Sequence, residues 1–275
     1  MFCMTLHFPL PWHFPSGQIA FTHPKLIVVI LGTTVVPACR YSDGEVAQGG
    51  YSTFMVVKEH FVLSLRSNMH KPSTAPLLCA GITTYSPMRY YGADKKGMRI
   101  AVNGLGGLGH MAVKFGKAFG CHVTVLSRSE KKKSFALDKL GADDYLATSD
   151  EDGMKKAAES LDAIVDTVAV KHDINALLGL LKVDGKLICV GMPSEPYTLA
   201  AAGFVMRRRM IGGSLIGGIK ETQEMLDFCS EHNIFCDVEV VNADYTNEAF
   251  KRMEAGDVHF RFVIDNLKSM IPDAA

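Results

Sequence analysis

The chain has no surplus of charge of either sign: 29 Lys and Arg face 29 Asp and Glu, a formal net charge of zero at pH 7. Proteins that grip nucleic acid or anionic lipid carry a cationic excess. Neither is therefore an expected partner. Clustered cysteines are also missing. The seven, Cys3, Cys39, Cys79, Cys121, Cys189, Cys229 and Cys236, are scattered and odd in number, which argues against a disulfide framework and for a reducing compartment. They do not have the close spacing of a structural zinc site. Long apolar runs are lacking too. The stretch 26–36 falls short of the roughly 20 residues that span a bilayer, and its β-branched run Ile27, Val28, Val29, Ile30 predicts a strand instead. Pro9, Pro11, Pro15 and Pro24 precede that run, unlike the charged opening of a signal peptide, so the expectation is a cytoplasmic protein. There is no internal repeat and no low-complexity tract. What remains is 275 residues with 48% hydrophobic content, enough for a full globular core and suited to small-molecule chemistry.

The most informative feature present is the run Gly104, Leu105, Gly106, Gly107, Leu108, Gly109. It follows an apolar strand-like stretch, Ile100, Ala101, Val102, and opens a helix-like stretch over 110–119. In a dinucleotide cradle the first glycine makes a tight turn, the second lets backbone approach a pyrophosphate, and the third lets helix pack on strand. The helix N-terminus then faces the phosphates. From residue 98 onward the alternation continues. Strands are predicted at 99–102, 122–126, 145–147, 163–165, 186–190 and 210–214, and helices at 110–119, 130–140, 151–160, 174–181, 200–207 and 221–232. This is the pattern of an α/β doubly wound parallel sheet, the Rossmann architecture. Segments 51–65 and 237–267 flank it with strand-like pieces of their own, as if to complete one small β-rich lobe. The methionines read as core fillers.

The cofactor choice follows from a second absence. An acidic residue about 20 positions past the loop would bind the ribose 2′-hydroxyl of NAD. Here the second strand ends in Ser127, Arg128, Ser129, followed by Glu130, Lys131, Lys132 and Lys133. Hydroxyls and cations suit a 2′-phosphate, which a carboxylate would repel, so NADP is the expected cofactor. The plainer reading of the lysines is a solvated helix face behind a serine N-cap.

These residues, with Gln48-Gly49-Gly50-Tyr51, Pro76-Leu77-Leu78-Cys79-Ala80-Gly81, Leu140-Gly141-Ala142-Asp143 and the Lys220-Glu221-Thr222 segment, make the chain resemble plant cinnamyl alcohol dehydrogenases. These belong to the zinc-dependent medium-chain dehydrogenase superfamily. The resemblance runs from residue 49 to residue 267. It implies an NADP-dependent alcohol dehydrogenase or aldehyde reductase acting on a small-molecule aldehyde or alcohol, as a cytoplasmic homodimer. It also implies cofactor contacts from the 104–109 loop and from Ser127, Arg128, Ser129, Lys131, Lys132, Thr167, Gly191, Ser214, Leu215 and Ile216. The domain expectation is an unmatched segment 1–40, a dinucleotide-binding domain 81–236, and remnants of a GroES-like catalytic lobe at 41–80 and 237–275.

Cys79 resembles the family's third catalytic zinc ligand, so zinc is implied; on the residues alone, a cysteine between Leu78 and Ala80 reads as a buried small side chain. The family's Gly-His-Glu motif and four-cysteine lobe do not occur in this sequence. A catalytic zinc needs three protein ligands, and Cys39, His60 and His70 show no ligand spacing. The expectation is a chain truncated or degenerate relative to its family, with its catalytic residues unassigned. The alternative function is a non-catalytic NADP-binding or dimerisation module. Arg207, Arg208 and Arg209 suit a helix C-terminus; the stretch 212–218 resembles the family's sixth strand, whose edge pairs across the dimer, and a glycine-rich strand equally marks close backbone approach.

Overall fold

A computed structural model of the chain describes residues 57–69 and 71–265, together with four short strands nearer the N-terminus, β1 (Cys3–Thr5), β2 (Trp12–His13), β3 (Gln18–Ala20) and β4 (Ile27–Val29). β4 falls on the β-branched run read as a strand. The described residues fall into two units, one drawn from 1–78 and 218–275, the other Cys79–Gly217.

The first unit holds β5 (Val57–Lys58) and β6 (Val62–Ser64); the second begins with α1 (Ala80–Tyr90) and then alternates strand and helix. In order come β7 (Arg99–Asn103), α2 (Gly109–Ala118), β8 (His122–Ser127), β9 (Asp144–Ala147), α3 (Glu151–Lys156), β10 (Leu161–Asp166), α4 (Ile174–Leu180), β11 (Leu181–Cys189), α5 (Ala201–Val205) and β12 (Met210–Gly213). The strands form one parallel sheet in the order β12-β11-β10-β7-β8-β9. Counted from the first strand of the unit this is 3-2-1-4-5-6, the doubly wound order whose reversal lies between β7 and β10.

The strands read as apolar runs because both faces are covered. Ile100, Ala101, Val102, Val123, Val125, Ala163, Ile164, Val165, Leu187 and Ile188 are fully buried. On one face α4 brings Leu177 and Leu178 onto Leu126, Ile164 and Leu187. On the other, Phe115 of α2 meets Tyr85 of α1 edge to face at 5.3 Å. Gly116 lets α2 come close: a Cβ there would lie 2.8 Å from the side chains of Ile100 and Val123. Asp150 caps α3 by accepting from Gly153 N–H at 3.0 Å, and Asp173 caps α4 through Asn175 N–H at 2.9 Å.

Several predicted elements take different bounds. The helix expected at 130–140 divides into a 3₁₀ turn, Glu130–Lys132, and a π turn, Phe135–Lys139. α3 ends at Lys156 and the chain reaches Glu159 with φ of 54°, a backbone that no helix continues. β11 begins five residues early, since Leu181 already pairs with Leu161 before a register shift. At Gly212 the backbone does approach closely: a Cβ would overlap the ring of Tyr91, whose hydroxyl donates to Gly213 O at 3.0 Å. Arg207 pairs with Glu159 at 2.6 Å, Arg208 with Asp184 at 3.1 Å, and Arg209 donates to the carbonyls of Leu181 and Gly203.

The other unit adds α6 (Ile219–His232), β13 (Glu239–Val241), α7 (Thr246–Glu254) and β14 (Phe262–Asp265). β14 pairs in parallel with β13 and β1, β3 pairs with β2 and β5, and β4 pairs with β6. Arg66 reaches α6 through Asp227 at 3.0 Å and Glu231 at 3.1 Å. Expected strand residues 54–56 lie outside the described residues. Among the described residues no helix is long and apolar enough to cross a membrane.

Candidate cofactor site

Strand β7 delivers the 104–109 loop to the C-terminal edge of the sheet, beside the order reversal where open α/β sheets bind ligands. Gly104 turns with φ of 88°, donating its N–H to Leu126 O at 2.9 Å, a conformation L side chains avoid. A Cβ on Gly104 would sit 2.9 Å from both Thr167 Oγ1 and Val168 Cγ2, and one on Gly109 would overlap Gly104 O. Gly106 differs: nothing lies within 4 Å of its Cβ position. Two glycines thus close the turn, and the third leaves bare backbone facing open space.

Segments after the neighbouring strands press on this loop. Thr167 follows β10, and its hydroxyl lies 2.9 Å from Asn103 O and 3.2 Å from Gly104 O, able to donate to either. Gly191, after β11, has no room for a Cβ against the backbone of Val168, while its N–H donates to Asp166 O at 3.0 Å. After β8, Lys132 Nζ donates to Leu105 O at 2.7 Å, tying the turn that follows the strand to the loop. Burial and then the charge of Arg128 lower the pKa of that ammonium. Lys133 turns away to Glu130 at 3.0 Å. The sequence-derived residues Gly104, Gly109, Thr167, Gly191 and Lys132 therefore converge. Ser214, Leu215 and Ile216 follow β12, the outermost strand, and are tied to the sheet by Ser214 N–H donating to Cys189 O at 3.2 Å.

Sequence reasoning missed the group beneath Thr167. Asp166 ends β10 fully buried, its Oδ1 accepting from Asn103 Nδ2 at 2.9 Å and Val168 N–H at 3.2 Å, its Oδ2 2.9 Å from His172 Nε2. The signal available was a carboxylate closing the apolar run Ala163, Ile164, Val165. Burial, then the Asp166 charge, pushes the Cys189 thiol up to about 11. Burial, then Asp166 and Cys189, pushes the Tyr197 hydroxyl up to about 12.

Cys79 sits before α1, half-buried, its carbonyl accepting from Thr83 N–H at 3.1 Å. Among the described residues no group of three or more His, Cys, Asp or Glu could hold a metal ion. The described donors around Cys79 do not make up a three-ligand zinc centre. His60 packs edge-on against Phe61 at 5.0 Å, and Cys39 and His70 lie outside the described residues.

Known proteins carry the same text and shape. A family model described as zinc-binding dehydrogenase matches residues 107–231. A mannitol dehydrogenase of Petroselinum crispum is 56% identical over 81% of this chain and 66% of its own length. Cinnamyl alcohol dehydrogenase 2 of Arabidopsis thaliana is 52% identical over 86% of the chain and 63% of its own. A cinnamyl alcohol dehydrogenase structure from Sorghum bicolor superposes with a TM-score of 0.81 at 45% identity, covering 85% of this chain and 66% of that one. The CAD from Helicobacter pylori, solved in complex with NADP(H), gives 0.75 at 40%, covering 83% and 65%. Over residues 107–231 the chain matches the zinc-binding dehydrogenase model, and its fold is that of the solved cinnamyl alcohol dehydrogenases. The chain is similar to plant mannitol and cinnamyl alcohol dehydrogenases, and it spans just under two thirds of the length of the curated relatives it matches.

Proposed function

We propose that this chain is an NADP-dependent alcohol dehydrogenase or aldehyde reductase of the cinnamyl alcohol dehydrogenase type, acting on a small-molecule alcohol or aldehyde. The observation that carries this reading is the convergence of Gly104, Gly109, Thr167 and Gly191 around a loop whose middle glycine faces open space. The pyrophosphate is assigned to the backbone at Gly106 and the first turn of α2. Ser127, Arg128, Ser129, Lys131 and Lys132 are assigned to the 2′-phosphate, since a dianion gains charge-assisted hydrogen bonds from hydroxyls and cations. Thr167, Gly191, Ser214, Leu215 and Ile216 are assigned to the remainder of the dinucleotide along the same sheet edge.

Bound NADP(H) supplies the hydride acceptor or donor that interconverts an alcohol and a carbonyl. The chain's own residues bind it, orient it and exclude water beneath it. Relatives are named for mannitol, 8-hydroxygeraniol and cinnamyl alcohol; all three are alcohols, which supports the substrate class. Among the described residues the donor set at Cys79 does not fit zinc, and no step runs through a metal. A homodimer in the cytoplasm completes the proposal. Its support is β12, which ends the sheet order with Met210 half exposed and Leu215 66% exposed beyond it, the kind of edge that pairs with a second chain.

Calorimetry with NADP⁺ and NAD⁺, paired with NADPH consumption on cinnamaldehyde, tests the reading. Affinity for NADP⁺ is expected to exceed that for NAD⁺ by about tenfold or more; equal affinities overturn the 2′-phosphate assignment. Tight binding without turnover selects the non-catalytic NADP-binding module instead.

A further inference from the structure

We infer that His172 is a positioning residue for the nicotinamide half of the cofactor, acting through the buried carboxylate of Asp166; this rests on the cofactor reading above. Asp166 pairs in register with Asn103 on one side and Cys189 on the other, so it stands at the order reversal of the sheet. A carboxylate with no solvent exposure keeps its place only where donors surround it. Here Asn103 and Val168 serve Oδ1, and His172 Nε2 serves Oδ2 at 2.9 Å.

His172 is hooked at both ring nitrogens. Nδ1 faces Val170 O at 2.8 Å, so the imidazole bridges the start and the middle of the 166–172 segment. Val170 O and the Asp166 carboxylate are both acceptors, so each ring nitrogen makes its contact by presenting an N–H to its partner. The edge of Tyr197 covers the ring at 5.8 Å between centroids. The bridge fixes the path of Thr167 and Val168, and these are the residues whose atoms occupy the space beside Gly104, Gly109 and Gly191. His172 therefore sets the wall of the crevice without itself reaching the glycine loop.

The segment follows β10, whereas the residues assigned to the 2′-phosphate follow β8, and β7 lies between. A dinucleotide crossing the reversal rests one half on each side. Breaking the bridge should loosen the β10 side alone. The test is calorimetry on the full chain with two probes, NADP⁺ and 2′,5′-ADP, which contains only the adenosine half with its 2′-phosphate. His172→Leu is expected to weaken NADP⁺ by about tenfold, the scale of one lost hydrogen bond to a charged group, with 2′,5′-ADP unchanged within about twofold. His172→Asn, whose shorter amide falls short of Asp166, should show the same split with less disturbance of packing. His172→Gln keeps a donor toward Asp166 and should recover most of the affinity. Wild-type NADP⁺ affinity in both the Leu and Asn variants overturns the proposal. A parallel loss of both probes with a lowered Tm also overturns it, since that marks a merely structural role. Wild-type protein that binds neither probe overturns the cofactor reading itself.

Discussion

A methyl group added at Gly106 and one added at Gly109 should have opposite consequences, although the two glycines are three residues apart. Gly109→Ala drives a Cβ into the Gly104 carbonyl, and backbone cannot yield cheaply, so a stability loss of about 3 kcal/mol or more is expected. Gly106→Ala meets nothing within 4 Å, and stability should stay within about 0.5 kcal/mol. Its effect belongs to the ligand: the methyl fills the space assigned to a pyrophosphate, and NADP⁺ affinity should fall by about a hundredfold or more. Thermal unfolding and calorimetry on both variants check the pair. A Gly106→Ala protein that binds NADP⁺ normally would remove the pyrophosphate from that position. Lys132 offers the matching test for the 2′-phosphate. Lys132→Met should weaken NADP⁺ about tenfold and leave NAD⁺ nearly unchanged, because only the former carries the extra dianion. This much of the site was legible in the sequence, since glycine spacing and a Ser-Arg-Ser strand end are local patterns. Asp166 and His172 were not, because their role depends on β10 lying between β7 and β11, a neighbourhood set by sheet order.

At the scale of elements, Asp143 shows how a loop residue joins two of them. Its carboxylate takes Lys117 Nζ of α2 at 2.6 Å on both oxygens and Val123 N–H of β8 at 2.7 Å. Burial pushes its pKa up, yet the hydrogen bonds from Lys117 and Val123 and the charges of Lys117 and His122 outweigh that and hold it below the usual carboxylate value. A carboxyl with a depressed folded pKa stabilises above its unfolded pKa, and the contribution disappears as pH falls through the folded value. Asp143→Asn should therefore cost about 1 kcal/mol at pH 7, and the gap to wild type should close below about pH 4. Urea unfolding at both pH values checks this, and a gap independent of pH would place the effect in packing rather than charge. The same scale explains where the helix boundaries escaped the sequence. Periodicity over 130–140 suits a helix, but Lys132 is tied back to Leu105 O and the first turn is 3₁₀, with a π turn behind it. At β11 the early start reflects Leu181 pairing with Leu161, a tertiary contact that no window of residues around 181 contains.

At the scale of the whole molecule, Cys121, Cys189 and Cys229 are thiols whose ionisation opposes the fold. Burial, with smaller charge effects at Cys121, pushes the Cys121 thiol up to about 11, and burial does the same to Cys189. The Cys229 thiol, buried in the other unit, is pushed up as well. Unfolded thiols titrate near 8.5, so above that value the unfolded chain has lost protons that the folded one keeps. The folded state then binds more protons than the unfolded state, and stability falls as pH rises. The decline is steepest between about pH 9 and pH 11, where each such thiol contributes up to roughly 1.4 kcal/mol per pH unit. Denaturant midpoints measured from pH 7 to pH 11 should be level at first and then drop through this window. Cys121→Ala should make the drop shallower, since it removes one of the thiols that must stay protonated. Alkylation gives an independent reading: at pH 8 these three thiols should resist iodoacetamide in the native protein and react once it is unfolded. A midpoint that stays level to pH 11 would mean that the thiols ionise as easily inside as outside, contrary to the burial of Cys121 just ahead of β8 and of Cys229 on α6.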